Sequence, residues 1–272
     1  MKIGFIGIGN MGGAILSGYA ASGNADGHQL MAFDMNEELC ERMQRQIPQL
    51  EICENGSELC KAADLVILGV KPQVIEGVLQ EIAPVYDTSK TIVSMAAGVD
   101  MAVIEKFLGS DAKVIRIMPN TPAKVGEAMI AACRNANTMP AVFNAAMDIF
   151  ESIGMAKEVD ESLIDCVIGV SGSSPAYTYM YIEALTDAAQ ANGMERAKAR
   201  IFAAQAVLGA AKMVLESPET LEQLRINVCS PNGTTIEAVN KLFENGFMDK
   251  VKEGFQAAVD RSIEMAEEKR RG

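Results

Sequence analysis

The sequence predicts an α/β fold in two parts, a sheet with flanking helices followed by an all-helical part. Over the first 160 residues, short and nearly continuous apolar runs alternate with helix-like segments, which is typical of a parallel sheet covered on both faces. A glycine-rich turn joins the first apolar run to the first helix-like segment. Beyond residue 160 the strand-like runs stop and helix-forming sequence continues. We therefore predict one domain at residues 1–160 and a second at 161–272.

The composition is consistent with two domains and excludes some partners. The chain has 272 residues, of which 49% are hydrophobic, so sizeable cores can be built. Its net charge of −12 argues against nucleic acid or an anionic membrane as a partner, since both are bound through clustered Lys and Arg. No apolar stretch is long enough to span a membrane.

The cysteines and the single histidine restrict the chemistry. Six cysteines without a C-x-x-C pair indicate reduced, mostly buried thiols of a cytoplasmic protein. We expect His28 in a surface loop. With one histidine, a Ser-His-Asp triad or a histidine-based metal site is close to excluded, and we predict no metal. A secretory signal is the alternative interpretation of the first residues, but the glycines there make a poor apolar helix.

The first stretch has the order strand, glycine turn, helix. Gly7, Gly9 and Gly12 follow a short apolar run with the spacing G-x-G-x-x-G. Gly7 permits a tight turn, Gly9 lets the backbone approach a pyrophosphate, and Gly12 lets the helix pack on the strand. The helix start offers unpaired N–H groups to the anion. An acidic residue is expected after the next strand, and Asp34 follows Leu30–Phe33. These features predict a Rossmann-like dinucleotide-binding domain.

The remaining elements of the first domain follow from apolar runs and helix signals. The predicted strands are Leu50–Cys53, Asp64–Val70, Thr91–Ser94, Lys113–Ile117, Met129–Ala132 and Ala156–Val159. The predicted helices are Asn36–Gln46, Asn55–Ala63, Val103–Leu108 and Pro140–Ile153. Asn36 is expected to cap its helix. Lys71–Gln73 follow the fourth strand at the end where open α/β sheets bind ligands, and Pro72 is expected in the first turn of a helix.

Two long helices open the second domain. One is predicted to begin at Ser174-Pro175, a cap followed by proline, and to stop at Asn192-Gly193. The next, Glu195–Leu215, is alanine-rich and apolar nearly all round. Such a helix must be buried on several sides, which a domain of this size does not provide alone. We therefore predict a homodimer interlocked through these helices.

The last predicted helix begins at Thr234 or Thr235, where Thr234-x-x-Glu237 is a capping-box pattern. Ser230–Gly233 before it suits a simple turn between helices, which needs Ser, Pro, Asn and Gly in any case. The same loop also suits a small carboxylate, because hydroxyls lie beside the free amides and the dipole of a helix start. The residues themselves leave both interpretations open.

Five segments resemble pyrroline-5-carboxylate reductases, the enzymes of the last step of proline synthesis. They are Phe5–Gly12, Val70–Gln73, Arg116–Pro122, Gly172–Tyr177 and Ser230–Thr235, and the resemblance extends over essentially the whole chain. It implies a Rossmann-like domain followed by an all-helical dimerisation domain, with the active site between them. It also implies hydride transfer from NADPH or NADH to the C=N carbon of 1-pyrroline-5-carboxylate, which gives L-proline.

The resemblance implies a set of cofactor-binding residues. Those in the glycine turn and the later loops are Ile6, Gly7, Ile8, Gly9, Asn10, Met11, Asp34, Asn36, Val70, Lys71, Pro72, Met95, Ala96 and Ala97. Asn120 is expected near the nicotinamide, and Asn227 is expected to touch the cofactor from the helical domain. Asn55 is a further candidate, for the adenosine.

The substrate is implied at Glu161, Thr234 and Thr235, and we take Thr235 and Glu161 as the candidate catalytic residues. We assign the Thr235 hydroxyl to the ring nitrogen, since protonation or hydrogen bonding there makes the imine carbon more electrophilic. The amides of Gly233–Thr235 are assigned to the carboxylate. No histidine base is required, because the cofactor supplies the hydride and the protein supplies orientation and electrostatics.

Three positions depart from the family pattern, since Ala128, Ser174 and Asn232 stand where the family has glycine. Asn tolerates a positive φ better than most residues, so we expect the loop around Asn232 to persist. None of the three changes removes a reacting group.

Asp34 bears on the choice of cofactor. Its carboxylate accepts hydrogen bonds from a ribose 2′-hydroxyl and repels a 2′-phosphate, and no arginine stands at Met35 or Asn36 to compensate. We predict that NADH is used at least as well as NADPH.

Two other functions remain open on the residues alone. β-Hydroxyacid dehydrogenases resemble the first domain, but they use a helix lysine after a glycine-serine motif, and Ser173–Thr178 contains none. A non-catalytic regulatory protein that binds the cofactor would keep the fold and lose the chemistry. Its only support is Asn232.

Overall fold

The computed structural model describes residues 1–271 and divides the chain into two compact units. The first, here the sheet unit, contains Met1–Ser173 and the segment from Ala257 onward, and the second, the helical unit, contains Ser174–Gln256. The predicted domain boundary after residue 160 remains a prediction. By internal contacts, residues 161–173 and the C-terminal segment belong with the sheet.

The sheet unit is built on eight strands in the order β3-β2-β1-β4-β5-β6-β7-β8. The strands are β1 (Lys2–Ile6), β2 (Gln29–Phe33), β3 (Glu51–Ile52), β4 (Leu65–Leu68), β5 (Thr91–Ser94), β6 (Lys113–Met118), β7 (Ala128–Arg134) and β8 (Gly154–Glu158). The first six are parallel neighbours in the doubly wound order. This confirms the predicted α/β class with an N-terminal Rossmann-like sheet.

The end of the sheet departs from the predicted parallel arrangement. β7 runs antiparallel to β6, and β8 runs parallel to β7. The connection from β6 to β7 contains only a short 3₁₀ turn at Thr121–Val125 and no crossover helix. Since a parallel neighbour needs a long crossover, the chain reverses here instead.

Helices cover both faces of the sheet. They are α1 (Asn10–Ala21), α2 (Glu37–Gln46), α3 (Gly56–Ala62), α4 (Ile75–Ile82), α5 (Met101–Leu108), α6 (Pro140–Glu151) and α7 (Ile164–Val167). One core contains Ile3 and Phe5 of β1, and the core on the other face contains Ile6. All four residues of β4 are buried. Burial on both faces explains the continuous apolar runs in the sequence.

The predicted helix starts are only partly correct. Asn36 caps α2 as predicted, and its side chain accepts a hydrogen bond from the Leu39 amide (3.3 Å). The prediction for Pro72 is wrong, because α4 begins at Ile75 and Pro72 lies in the preceding turn.

His28 lies in the loop before β2, as predicted, but it is half-buried, and its Nδ1 lies 2.6 Å from the Tyr19 hydroxyl.

The thiols are unpaired throughout the described chain. Cys40, Cys53, Cys60 and Cys133 are buried, whereas Cys166 is exposed. Burial raises the pKa of Cys53, Cys60 and Cys133 to about 11 in each case. These three thiols are therefore protonated and unreactive near neutral pH.

The helical unit contains α8 (Ser174–Ala191), α9 (Arg196–Glu216), α10 (Leu221–Val228), α11 (Thr234–Glu244) and the start of α12 (Phe247–Arg271). α8 includes Ser174 as its first residue, one position earlier than predicted. The prediction that the helix at Thr234 is the last one is wrong, because α12 follows it. Large apolar side chains of α9, such as Ile201, Phe202 and Leu215, are more than half exposed.

Residues 1–271 contain neither a membrane-spanning helix nor a cluster of metal ligands. No helix in this range is both long and apolar enough to cross a membrane. No group of three or more His, Cys, Asp or Glu side chains in this range is placed to hold a metal ion.

Candidate functional site

The glycine turn between β1 and α1 is held by close backbone contacts. Gly7 has a φ of +89°, which favours glycine. A Cβ added to Gly12 would lie 2.1 Å from the Gly7 carbonyl oxygen, and one added to Gly69 would lie 2.3 Å from the same atom. The helix start and the end of β4 therefore approach this carbonyl at distances that only glycines allow.

Gly9, by contrast, faces open space. A Cβ added there would meet no protein atom within 4 Å. Gly9 is the N-cap of α1, which has no side-chain cap and no acidic residue in its first turn. The first amides of a helix have no intrahelical acceptor, and the helix dipole places partial positive charge there. This cradle fits a pyrophosphate group.

A cavity of about 720 Å³ lies beside this turn. It brings together eight of the predicted cofactor residues, namely Ile6, Gly7, Gly9, Asp34, Asn36, Asn55, Val70 and Lys71. Met35, which is 93% exposed, and Val74, Gly77 and Val78 of the α4 region also line it, and none of the four was predicted to bind the cofactor. Their position beside the β1–β4 switch point of the sheet is the signal that would have found them.

Asp34 joins the glycine turn to the end of β2. One carboxylate oxygen accepts a hydrogen bond from the Ile8 amide (2.9 Å), and the other accepts from the Asn36 amide (3.0 Å). Each oxygen keeps a second lone-pair direction. The carboxylate is therefore held in place at the cavity and retains acceptor capacity.

Two asparagines at the cavity are also helix caps. Asn55 accepts a hydrogen bond from the Glu58 amide (2.8 Å) and so caps α3, as Asn36 caps α2. Lys71 is exposed and makes no ion pair with any described side chain. It is thus a cation placed at the cavity with no described ion-pair partner.

The other predicted cofactor residues of the sheet unit do not line this cavity. Ile8 and Asn10 line a second cavity of about 790 Å³, where Asn10 accepts a hydrogen bond from Lys124 Nζ (3.2 Å). Met11 and Met95 pack partly against the core. The remaining four are Pro72, Ala96, Ala97 and Asn120. Ala96 is 1% exposed, so it offers almost no surface to a ligand.

The Asn120 side chain is committed to the protein. Its Nδ2 donates to the Ser171 carbonyl (3.1 Å), and its Oδ1 accepts from the Met129 amide (2.9 Å). It is 8% exposed. Asn120 therefore ties the end of β6 to β7 and to the segment after α7.

Glu161 is paired with a buried arginine. Its Oε1 accepts from Arg116 Nη1 (3.1 Å) and from the Met101 amide (2.8 Å). The side chain of Arg116 is 5% exposed and that of Glu161 is 30% exposed. Arg116 belongs to one of the family-like segments, but no role was predicted for it from the sequence. Glu161 therefore has a structural role as the ion-pair partner of the buried Arg116.

Replacing Glu161 by alanine is expected to destabilise the protein by about 3 kcal/mol, because it leaves a buried guanidinium unpaired. Arg116 Nε already lacks a hydrogen-bond partner within the described residues, and the variant would also remove the described partner of Nη1. Urea unfolding measures the loss. The double variant Glu161→Leu/Arg116→Met is the control, since removing both charges should recover most of the stability. Unchanged stability with a raised KM for substrate would show that Glu161 serves the ligand instead.

In the helical unit, the loop before α11 is shaped by Asn232 and Gly233. Asn232 has a φ of +57°, a left-handed conformation that asparagine tolerates, as expected from the sequence. A Cβ on Gly233 would lie 2.6 Å from Ser230 Oγ. The capping-box prediction is wrong, because Gly233 is the N-cap and no side chain caps α11.

The start of α11 presents polar groups without protein partners. The Gly233 amide already donates to the Ser230 carbonyl (3.0 Å), which removes it from the predicted carboxylate site. Thr234 and Thr235 are the first two residues of the helix, so their amides have no intrahelical acceptor. The Thr235 hydroxyl, on a half-buried side chain, makes no hydrogen bond with any described group.

Asn227 belongs to a separate polar cluster of the same unit. Its Nδ2 donates to both carboxylate oxygens of Glu219 (3.1 and 3.0 Å), and its Oδ1 accepts from Gln223 (2.7 Å). Glu219 was not among the predicted site residues. The i, i+4 spacing of Gln223 and Asn227 on α10 is the signal that places those two together.

Comparison with known proteins gives consistent matches along the chain. Residues 161–265 match the family described as pyrroline-5-carboxylate reductase dimerisation, and residues 2–98 match that described as NADP oxidoreductase coenzyme F420-dependent. Pyrroline-5-carboxylate reductase of Escherichia coli is 43% identical over 265 residues, covering 97% of this chain and 98% of that protein. The structure of the Coxiella burnetii pyrroline-5-carboxylate reductase is similar with a TM-score of 0.91 at 32% identity, covering 97% and 98% of the two chains. That of the Plasmodium falciparum pyrroline carboxylate reductase, with NADP bound, is similar with a TM-score of 0.87 at 32% identity, covering 98% of each.

Proposed function

The chain belongs to the pyrroline-5-carboxylate reductase family, and from this premise we propose which of its residues carry the reaction. It is an NAD(P)H-dependent oxidoreductase that reduces 1-pyrroline-5-carboxylate to L-proline, the final step of proline biosynthesis. This membership replaces the alternatives of a β-hydroxyacid dehydrogenase and of a non-catalytic regulatory protein. Oxidation of NADH or NADPH by the purified chain in the presence of 1-pyrroline-5-carboxylate tests the activity directly.

We propose that the cofactor is held at the cavity beside the glycine turn. The observation that carries this assignment is the open space over Gly9 at a helix start without a cap. The α1 amides bind the pyrophosphate, with Lys71 as a nearby cation, and Asp34 accepts from the ribose. When bound, the cofactor supplies a hydride to the C=N carbon of the substrate.

The substrate is proposed to bind at the start of α11. The free amides of Thr234 and Thr235 bind its carboxylate, with help from the helix dipole, which contributes about 0.3–2 kcal/mol. The Thr235 hydroxyl donates a hydrogen bond to the ring nitrogen. This bond draws electron density from the C=N group, so the carbon accepts a hydride more readily. The absence of any described partner for this hydroxyl supports the role.

Asn120, Glu161 and Asn227 are proposed to act on the site through the groups they hold. Each has its side chain engaged by protein atoms, and Asn120 and Glu161 connect loops at strand ends. Because reacting groups must be held closely in position, loss of such contacts lowers activity even without a direct contact to substrate.

Cofactor choice is proposed to depend on Asp34. A 2′-phosphate about 4 Å from its carboxylate would cost on the order of 4 kcal/mol at an effective dielectric near 20, and less with screening by salt. We expect wild-type protein to use NADH at least as well as NADPH. Asp34→Asn, which keeps one side-chain acceptor, is expected to shift the ratio of kcat/KM values toward NADPH about ten-fold, or about 1.4 kcal/mol. A hundred-fold NADPH preference in the wild type would contradict the assignment.

The chain is a homo-oligomer, as its dimerisation family indicates. We propose that the exposed apolar side chains of α9, with those of α8 such as Tyr179 and Met180, form the interface. We also propose a cytoplasmic location, which is supported by six cysteines that form no disulfide among the described residues.

A further inference from the structure

We propose that the C-terminal end of α12 positions the loop after β5 and the start of α4, and that it thereby sets the affinity for the nicotinamide cofactor. Here this end of α12 means Ser262–Arg270. The inference rests on the proposed function, and on the expectation from sequence that Met95–Ala97 of the loop contact the cofactor. No residue of α12 was predicted to serve the site.

The first support is a close backbone contact at Gly98. This glycine has a φ of +70°, and a Cβ added to it would lie 2.9 Å from Met265 Cβ and 3.3 Å from the Met265 carbonyl carbon. Ala266, the next residue of the helix, is 8% exposed. The helix therefore rests directly on the residue that follows Met95–Ala97, and neither can shift without the other.

The second support is a pair of ion pairs at the end of the helix. Lys269 Nζ lies 2.8 Å from a carboxylate oxygen of Glu76, in the first turn of α4. Residues on either side of Glu76, such as Val74 and Gly77, line the cofactor cavity. Lys269 thus links the C-terminal helix to a wall of that cavity.

The other ion pair reaches the start of α5. Arg270 Nη2 lies 2.6 Å from Asp100 Oδ2. Asp100 Oδ1 in turn accepts from the Val103 amide (3.1 Å) and caps α5. Asp100 comes two residues after Gly98, so Arg270 holds the far end of the same loop.

A buried contact anchors the segment at its other end. Ser262, which is 4% exposed, donates a hydrogen bond to Asp165 of α7 (2.6 Å). From this anchor the helix runs over the loop to the two ion pairs. Ser262–Arg270 is therefore tied at several points, whereas segments without such ties are poorly ordered.

The contacts are suited to local positioning more than to global stability. Ion pairs with partly exposed side chains contribute little to the free energy of unfolding. Local opening of a segment, however, is governed by its own few contacts. Loss of an ion pair should therefore loosen the loop and α4 while the rest of the sheet unit stays folded. A cofactor that requires the ordered loop then binds less tightly.

The test measures the Kd of NADH for full-length variants by equilibrium titration. Lys269→Glu and Arg270→Ala are each expected to raise this Kd about five-fold, with kcat at saturating NADH within about two-fold of the wild type. Arg261→Ala is the matched control. Arg261 is on the same helix, and its ion pairs among the described residues are with Glu264 and Glu268 of that helix, so its loss should leave the Kd unchanged.

A single variant does not separate the loss of the ion pair from other effects of the new side chain, and a charge swap does. Glu76→Lys combined with Lys269→Glu restores an ion pair of reversed sign and is expected to restore the Kd. The proposal would be overturned by an unchanged Kd in both single variants, or by a rise in Kd equal to that of Arg261→Ala. A charge swap that does not recover the affinity would also overturn it. Because binding is measured without turnover, a wild-type protein that binds NADH but does not reduce 1-pyrroline-5-carboxylate would reject the proposed function and leave this test valid.

Discussion

Thr235→Ala is expected to lower kcat for 1-pyrroline-5-carboxylate reduction at least ten-fold, or about 1.4 kcal/mol in the barrier. The variant removes the hydroxyl that we assign to the ring nitrogen. The fold should be retained, because Thr235 does not cap α11, whose N-cap is Gly233, and its hydroxyl has no described protein partner. The free energy of unfolding should change by less than about 0.5 kcal/mol. Steady-state kinetics and thermal unfolding measure the two quantities.

Two conservative changes sharpen this test. Thr235→Ser keeps the hydroxyl and is expected to retain most of the activity. Thr235→Val keeps the shape without the hydroxyl and is expected to behave like alanine. If Thr235→Ala turns over at the wild-type rate, the assignment is wrong and the residue serves only as part of a helix start.

Gly12→Ala is expected to destabilise the sheet unit by about 1–3 kcal/mol or more, as overpacking of a tight contact does. The added Cβ would lie 2.1 Å from the backbone oxygen of Gly7, which cannot rotate away as a side chain does. Moving α1 to relieve the clash would displace the anion-binding amides, so NADH binding should be lost as well. Chemical unfolding and cofactor titration measure both effects.

Gly9→Ala is the matched variant in the same turn and is expected to separate the two effects. Gly9 has a φ of −64°, and its Cβ would meet no protein atom within 4 Å, so stability should change little. The methyl group would stand where the pyrophosphate is proposed, and we expect the Kd of NADH to rise at least about ten-fold, or 1.4 kcal/mol. Unchanged affinity in Gly9→Ala would show that the cofactor does not approach the turn there.

Much of the sheet unit was predictable because local sequence determines it. β5 lies at its predicted bounds, Thr91–Ser94, since a short apolar run between polar residues has few alternatives. The glycine turn was predictable for the same reason, because its spacing reports close backbone contacts that Gly12 and Gly69 display. The direction of β7 was not predictable, because an apolar run carries no information on strand direction.

The missed features depend on contacts between distant residues. Periodicity does indicate α12, where Phe247, Val251 and Phe255 recur every four residues, and the sequence analysis did not use it. The packing of α12 against the sheet unit could not be predicted from periodicity, because the Lys269–Glu76 pair joins residues 193 positions apart. The pairing of Glu161 with Arg116 likewise depends on packing, so a motif alone did not reveal it.

Asn232, which has a left-handed backbone conformation and precedes Gly233, has a chemical consequence for the ageing of the protein. Asn232 is exposed and precedes glycine, the sequence in which an asparagine amide most readily cyclises onto the next backbone nitrogen, releases ammonia and hydrolyses to aspartate or isoaspartate. The new carboxylate would lie next to the amides proposed for the substrate's own carboxylate and would repel it. Stored protein is therefore expected to lose affinity for substrate as deamidation at this position increases. Peptide mass spectrometry measures the extent of deamidation. Asn232→Gly should keep its affinity over the same period, and equal losses in both proteins would refute this mechanism.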